Sequence, residues 1–408
     1  MPYANTTHSY GAIAKGFHWL TALLILTIIP LGLIANDLAH AVRNPDIATT
    51  EADTARAALL FSLHKTIGVT IFVVALLRIL WAVIQPHPKL LNGDKPAEAW
   101  LASTVHWLLY GSLVLVPLTG WVHHAATSGF APIWWPFGQT LPFVPKDEGV
   151  AQTSATLHYI LQWVLIGAVT LHILGALKHH VIDRDATLRR MLPGRTTATP
   201  TDRQPGHALP FVTALAVWAI AIGGGAAAGF FSHEHETGAE TAALEAVESD
   251  WQVQEGTLDI TVSQMGSVVS GTFADWTAEI AYSEEPDADG KHGNVTVTVS
   301  IPSLTLGSVT DQAMGPDYFA AETHPTATFT ADILAEGDGH VADGTLTIKD
   351  QSVPVELPFT LAIDGDTATA QGALSVDRRD FNIGLGTKDE GTLGFTVDIS
   401  FDLTAKRP

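Results

Sequence analysis

Cysteine is absent from all 408 residues. Its absence excludes disulfides, thiolate zinc sites, iron–sulfur clusters and covalent c-type haem attachment. Charge is scarce too: Asp, Glu, Lys and Arg make up 15% of the chain, against 47% hydrophobic residues. So apolar a composition argues against disorder and against a nucleic-acid binder. Acidic residues are missing from every long apolar run. No internal repeat and no low-complexity tract is visible. No small-residue cleavage signature directly follows the first apolar run, so that run reads as a retained membrane helix.

What is present is unevenly spread. Residues 250–408 hold 26 acidic and 7 basic residues, whereas residues 1–249 are nearly balanced at 16 and 14. Histidine runs the other way, with 15 of 18 before residue 250. Two chemically different halves are joined in one chain.

Five stretches in the first half are apolar and long enough to cross a bilayer, which takes about 20 residues per helix. They run Trp19–Ala35, Leu63–Ile84, Leu101–Val122, Ala155–Leu177 and Leu209–Phe231. Pro30, Pro117 and the glycines 223–225 within them are tolerable when neighbouring helices satisfy the backbone. Basic residues collect after the fourth stretch (Lys178, Arg184, Arg189, Arg190, Arg195, Arg203) and around the second connection (Arg78, Lys89, Lys95). The positive-inside rule then places the N-terminus and these loops in the cytoplasm. An odd number of spans puts everything after Phe231 on the far side, and Trp134 and Trp135 at the outer interface. The expected location is a bacterial inner membrane, with the C-terminal half periplasmic.

Ionisable groups within spans are costly and mark function by default. His158 and His172 on the fourth stretch are 14 residues apart, about 1400° of rotation and roughly 40° short of four turns. They therefore share nearly one face, about 21 Å apart along the axis. His18 starts the first span level with His172, and His64 starts the second level with His158. Such pairs, His18 with His172 and His64 with His158, suit two six-coordinate haem b groups, one near each membrane surface. Hydrogen-bonded core histidines are an alternative. Zinc is another, though no acid in the spans could complete its ligand set. His106, His123 and His124 compete for the same roles, and His179 and His180 fall past the fourth span.

The runs "AKGFHWL", "HKTIGV", "VHWLLYGSLVLVPLTGW", "LHYILQWVLIGAVTLHILGALKHH" and "DATLRRMLPG" resemble bacterial cytochrome b561 over residues 8–195. The resemblance implies a four-helix di-haem membrane domain whose axial ligands match His18, His64, His158 and His172, while the match to His106 is not axial. It further implies electron transfer from superoxide to ubiquinone. Lys65, beside His64, is a candidate for drawing in a small anion, although an interfacial lysine also snorkels or pairs with a propionate. Lys178, Arg184, Arg189 and Arg190 could meet propionates or anionic lipid. The residues do not place a quinone pocket; Trp163, beside Gln162, is a weak lead.

From Trp251 the texture becomes alternating, as in "NVTVTVSI", "GTLTIKD", "VPVELPFTLAI" and "LGFTVDISFDLTA", broken by turns. Short, evenly spaced strands of this kind predict an antiparallel sandwich or barrel. "SQMGSVVSGTFADWTAEI", "PSLTLGSVTDQAMGPDYFAAETHPTATFTA", "GTLTIKDQSVPVELPFTL" and "VDRRDFNIG" resemble the YceI family of lipocalin-like barrels, which implies an apolar interior for a polyisoprenoid or quinone. Lys349 and Asp350 stand where that family's usual "LTIHGVT" has His and Gly. Phe273, Trp276, Phe319, Phe329 and Phe381 either line such a cavity or pack a solid core. Arg378 and Arg379 are expected to pair locally with Asp377 and Asp380.

The expected architecture is therefore multidomain. A di-haem helical bundle (8–195) is followed by a cytoplasmic loop and fifth span (196–231), a periplasmic linker (232–249) and an all-β lipocalin-like barrel (250–408). "HEHE" at 233–236 reads as solvated linker rather than a metal site. Three functions stay open: a superoxide-to-ubiquinone oxidoreductase, an electron-transfer subunit for a separate periplasmic dehydrogenase, and an isoprenoid carrier with a redox anchor.

Overall fold

A computed structural model describes residues 3–43, 50–127, 131–194, 196, 198–204, 206–232, 244–245, 247 and 249–407 except 338. The predicted metal-free run 233–236 and most of the predicted linker 232–249 lie outside them.

The helical unit is built from α1 (Ala12–Arg43), α2 (Glu51–Ile84), α3 (Pro96–Ala126), α4 (Glu148–Lys178) and α5 (Ala208–Ala227). All five are long and apolar enough to cross a membrane. The first, third and fourth overrun their apolar windows at both ends and the second at its start, and on α4 a polar residue, Asp147, caps the helix outside the greasy stretch. Asp147 Oδ1 accepts from the Val150 amide at 2.8 Å, a side-chain N-cap. The fifth stops short of the expected Phe231. There the amides of Gly229 and Phe230 close back on the carbonyls of Ala226 and Gly225, a Schellman arrangement.

Large apolar side chains such as Leu23, Val83 and Leu209 face outward from the bundle. In water that would be a liability; in lipid it is the expected solvent-facing surface. Backbones of α3, α4 and α5 pack closely on one another, whereas α1 and α2 make only isolated close backbone approaches to other helices. Side chains bridge the wider gap, with Ile25, Ile71, Ala75 and Leu113 forming one cluster between α1, α2 and α3.

The second unit is a ten-stranded antiparallel sheet, β1 (Gln252–Gln264), β2 (Ser267–Phe273), β3 (Trp276–Tyr282), β4 (Lys291–Ser300), β5 (Leu304–Thr305), β6 (Thr326–Glu336), β7 (Gly339–Ile348), β8 (Gln351–Asp364), β9 (Thr367–Asp377) and β10 (Leu393–Lys406), with a short helix α6 (Thr310–Met314). Strand order is β3-β4-β6-β7-β8-β9-β10-β1-β2-β5. It curls into a lipocalin-like barrel, with Trp276 of β3 brought against Gly256 of β1. Alternation is the cause: in β8 every second residue is exposed and the others, Val353 to Ile363, turn inward.

Arg378 departs from its expected ion pair. Arg379 does bind Asp377, at 2.5 Å, but Arg378 is only 2% exposed. Its guanidinium donates to the carbonyls of Gly394, Ile383, Gly384, Thr387 and Leu393. A planar fork of five donors can satisfy a ring of inward carbonyls that no carboxylate could reach. Replacing it by Met should destabilise the barrel by about 2–4 kcal/mol, since buried carbonyls lose their donors. Calorimetry of the full chain would read this as a lowered barrel transition, and an unchanged one would contradict it.

Candidate functional site

The histidines meet in two tiers. In one, the rings of His18 on α1 and His172 on α4 lie 6.0 Å apart between centroids. In the other, His64 on α2 and His158 on α4 lie 6.3 Å apart. Two metal–imidazole bonds of about 2 Å each, plus about 1 Å of ring radius at either end, span about 6 Å. Both pairs therefore leave the gap a single iron fills.

The supporting contacts point the same way. His158 Nδ1 lies 2.8 Å from the Val116 carbonyl. A carbonyl only accepts, so Nδ1 carries the proton and Nε2 is left as a lone pair for a metal. His64 Nδ1 is buried without a hydrogen bond of good geometry, the Ile28 backbone being its nearby polar group. Two glycines make room for these rings. A Cβ at Gly32 would fall 2.6 Å from His64 Cε1, and one at Gly120 2.9 Å from His158 Nδ1. Any side chain at either position must push the imidazole out of its tier.

The two tiers differ in their surroundings. His106 on α3 sits 5.3 Å from His172, edge to face, and Arg78 lies within electrostatic reach of His18, His106 and His172. Arg78 stacks over Tyr110 at 5.3 Å, and Arg190 over Tyr10 at 5.5 Å. Arg190 is buried, donates once to the Lys89 carbonyl, and keeps Nε and Nη2 without partners. A haem propionate is the kind of acceptor those atoms lack. Lys15 Nζ donates to the carbonyls of Leu192 and Gly194, and Trp19 Nε1 to that of Met191, so the 191–194 segment is tied to the start of α1.

At the His64–His158 tier, Lys65 is buried at 6% exposure, with His123 and His124 as neighbours; His123 Nδ1 donates to the Ala151 carbonyl at 2.8 Å. Lys178 binds Glu98 and Asp183 at 2.8 and 2.9 Å, and His179 binds Asp183 and Asp185. Among the described residues, Glu98, His179 and Asp183 are the one grouping spaced like a metal site, and it includes none of the four paired histidines. Trp163 projects from the bundle with 52% of its surface exposed. Arg78 carried a signal in sequence, a lone charge inside "LLRILW". Gly32 and Gly120 carried none, because glycine is common in membrane helices.

The barrel encloses a cavity of about 280 Å³. Phe273, Trp276, Phe319, Phe329 and Phe381 all line it, and they also belong to the two packed clusters of the barrel core. Polar side chains on its wall are few: Gln264, Tyr282, Gln312, Tyr318 and Arg378.

Comparison with known proteins gives each half its relatives. The profile of prokaryotic cytochrome b561 matches residues 9–194, and that of the YceI-like domain residues 250–405. Cytochrome b561 homolog 2 of Escherichia coli K12 is 32% identical over 197 residues, covering 47% of this chain and 95% of that protein. The probable superoxide oxidase CybB of Yersinia pestis is 26% identical over 185 residues, covering 45% of this chain and 96% of its own. In the second half, the crystal structure of Burkholderia cenocepacia BcnA is 33% identical, with a TM-score of 0.34, covering 37% of this chain and 96% of that one. The chain belongs to the cytochrome b561 family of haem b membrane oxidoreductases and carries a YceI-like domain after its fifth apolar helix.

Proposed function

We propose that this protein is a two-haem membrane oxidoreductase that takes electrons from superoxide on the periplasmic side and delivers them to ubiquinone, while its barrel holds an isoprenoid quinone. The observation that carries this reading is the pair of imidazole couples at 6.0 and 6.3 Å, both served by α4. Held between them, haem b would supply one-electron redox chemistry. The stoichiometry balances as two superoxide ions losing one electron each to leave two dioxygen molecules, with ubiquinone taking both electrons and two protons.

The residues divide the remaining work. His18 with His172 and His64 with His158 would hold the two irons, and the Val116 carbonyl fixes the His158 tautomer. Gly32 and Gly120 let the rings stand at ligand distance. Arg190 offers its unpartnered nitrogens to a propionate. Lys65, a cation in a poorly hydrated place beside His64, attracts a small anion. The likeness to the Yersinia protein supports superoxide as that anion. The basic loops support a cytoplasmic N-terminus in a bacterial inner membrane. In the barrel, Phe273, Trp276, Phe319, Phe329 and Phe381 present apolar surface to the isoprenoid tail.

Spectra of purified variants test the pairing. His64→Ala and His158→Ala should each remove the same haem, His18→Ala and His172→Ala the other. Gly32→Ala and Gly120→Ala should lower occupancy only of the haem lost with His64. Any other grouping overturns the assignment.

Kinetics test the donor. Mixed with a superoxide generator and ubiquinone, the protein should form quinol, and Lys65→Gln should slow that rate about tenfold while dithionite still reduces the haems fully. Reduction that waits for an added dehydrogenase would instead make it an electron-transfer subunit.

A further inference from the structure

Alternation predicts apolar side chains all along the inner wall of the barrel, so inward polar groups stand out. On β3 the inward file Trp276, Ala278, Ile280 ends in Tyr282, which lines the cavity. On β7, His340 has the same parity as the cavity residues Ala342 and Leu346. Its ring stacks at 5.5 Å on Phe359, its register partner on β8. The Tyr282 hydroxyl lies 3.1 Å from His340 Nε2.

The direction of that hydrogen bond follows from His340 Nδ1, which is buried and has no partner. An orphaned N–H is rarer in folded proteins than an orphaned acceptor. The proton therefore sits on Nε2, and His340 donates to the Tyr282 oxygen. With its oxygen already accepting, Tyr282 has its own O–H free to donate. Nearby His292 is otherwise engaged, its Nδ1 donating to the Ser283 carbonyl at 3.0 Å while its ring meets His340 edge-on at 5.3 Å. The cavity thus has an oriented donor at the β3 end, waiting for an acceptor oxygen; elsewhere on the wall the Tyr318 hydroxyl, which accepts from Gln312 Nε2 at 3.0 Å, is a second.

Charge narrows the acceptor further. Among the described residues Arg378 is the one cation on the cavity wall, and five carbonyls occupy its guanidinium. At the β3 end, Lys291 is paired with Asp332 at 2.6 Å and Arg407 with Glu284 at 3.5 Å. Burial, and after it the neighbouring His292, hold His340 below its ordinary pKa, so it is neutral at pH 7. A diphosphate or carboxylate head would enter with no counter-charge, at high desolvation cost.

We infer that Tyr282, positioned by His340, anchors the head of the barrel's occupant, and that this occupant is an isoprenoid with a neutral carbonyl or hydroxyl head, a quinone or quinol, rather than a prenyl diphosphate or a fatty acid. This rests on the reading above that the barrel holds an isoprenoid.

Full-length protein in nanodiscs would be loaded with equal amounts of a ubiquinone, a prenyl diphosphate of the same tail length and headless squalene, then washed and extracted for mass spectrometry. Ala342→Phe, which plugs the cavity, gives the amount held elsewhere. Above that baseline, the unmodified chain should retain quinone about tenfold over the diphosphate. Tyr282→Phe and His340→Leu should each cut quinone retention about fivefold and leave squalene unchanged, since one hydrogen bond is lost and no apolar contact. His340→Gln, which can still donate to Tyr282, should restore most of it. Equal loss of quinone and squalene, unchanged quinone, or diphosphate held as well as quinone would overturn the anchor. Retention of none of the three above baseline would overturn the carrier reading and the anchor with it.

Discussion

An imidazole in hydrocarbon has no water to satisfy it, and that constraint organises the membrane half. Helix α4 carries two such rings at depths about 21 Å apart. Each must find its complement at its own level, so α1 brings His18 to one and α2 brings His64 to the other. The need for space between paired rings explains features that are otherwise odd. The α1 and α2 backbones stand off from their neighbours, while α3, α4 and α5 pack tightly, and Gly32 and Gly120 occur where any side chain would collide with an imidazole. A bundle stabilised by apolar packing alone would have closed those gaps.

Around the same two tiers, the cations are held in different ways. Arg78 and Arg190 rest on tyrosine faces near one end of the bundle, whereas Lys178 is tied into a carboxylate network with Glu98 and Asp183. A guanidinium over an aromatic face keeps its charge and most of its donors, so it remains able to meet a negatively charged group. An ammonium between two carboxylates does not. This difference singles out Arg190 from the run of basic residues that follow α4. The positive-inside reading proposed above would account for that run as a whole, but not for the burial of one of its members.

Much of this was legible in the chain itself, for reasons that can be named. Depth in a membrane is a single coordinate, and residue number along a helix measures it directly, so the partners of His158 and His172 could be read from spacing. Strand alternation likewise exposed the barrel, while leaving open whether its aromatic residues line a cavity or pack a core. Arg378 was not legible. Flanking acids suggest an ion pair, and nothing in the residue types reveals that five carbonyls between Ile383 and Gly394 converge on it. The end of the fifth helix was misjudged for a related reason, since apolar residues continue past Ala227 while the backbone has already turned. His340 and Tyr282, 58 residues apart, meet only through the register of four strands.

The two halves handle inward polar groups by one rule. Those that serve structure are saturated by the protein, as Arg378 is by carbonyls and the buried Thr104 of α3 by the Trp100 carbonyl. Most of those left with a bond unmade lie by the paired histidines or the barrel cavity. Among the described residues, eight buried side-chain atoms lack a partner; five belong to His64, Arg190, Gln264 and His340. The first two stand at or beside the histidine tiers, and the last two on or against the cavity wall. Leaving a buried nitrogen or oxygen unsatisfied costs stability. On the function proposed above, the cost is accepted beside the paired imidazoles and again at the end of an apolar cavity, where the proposed occupants would sit.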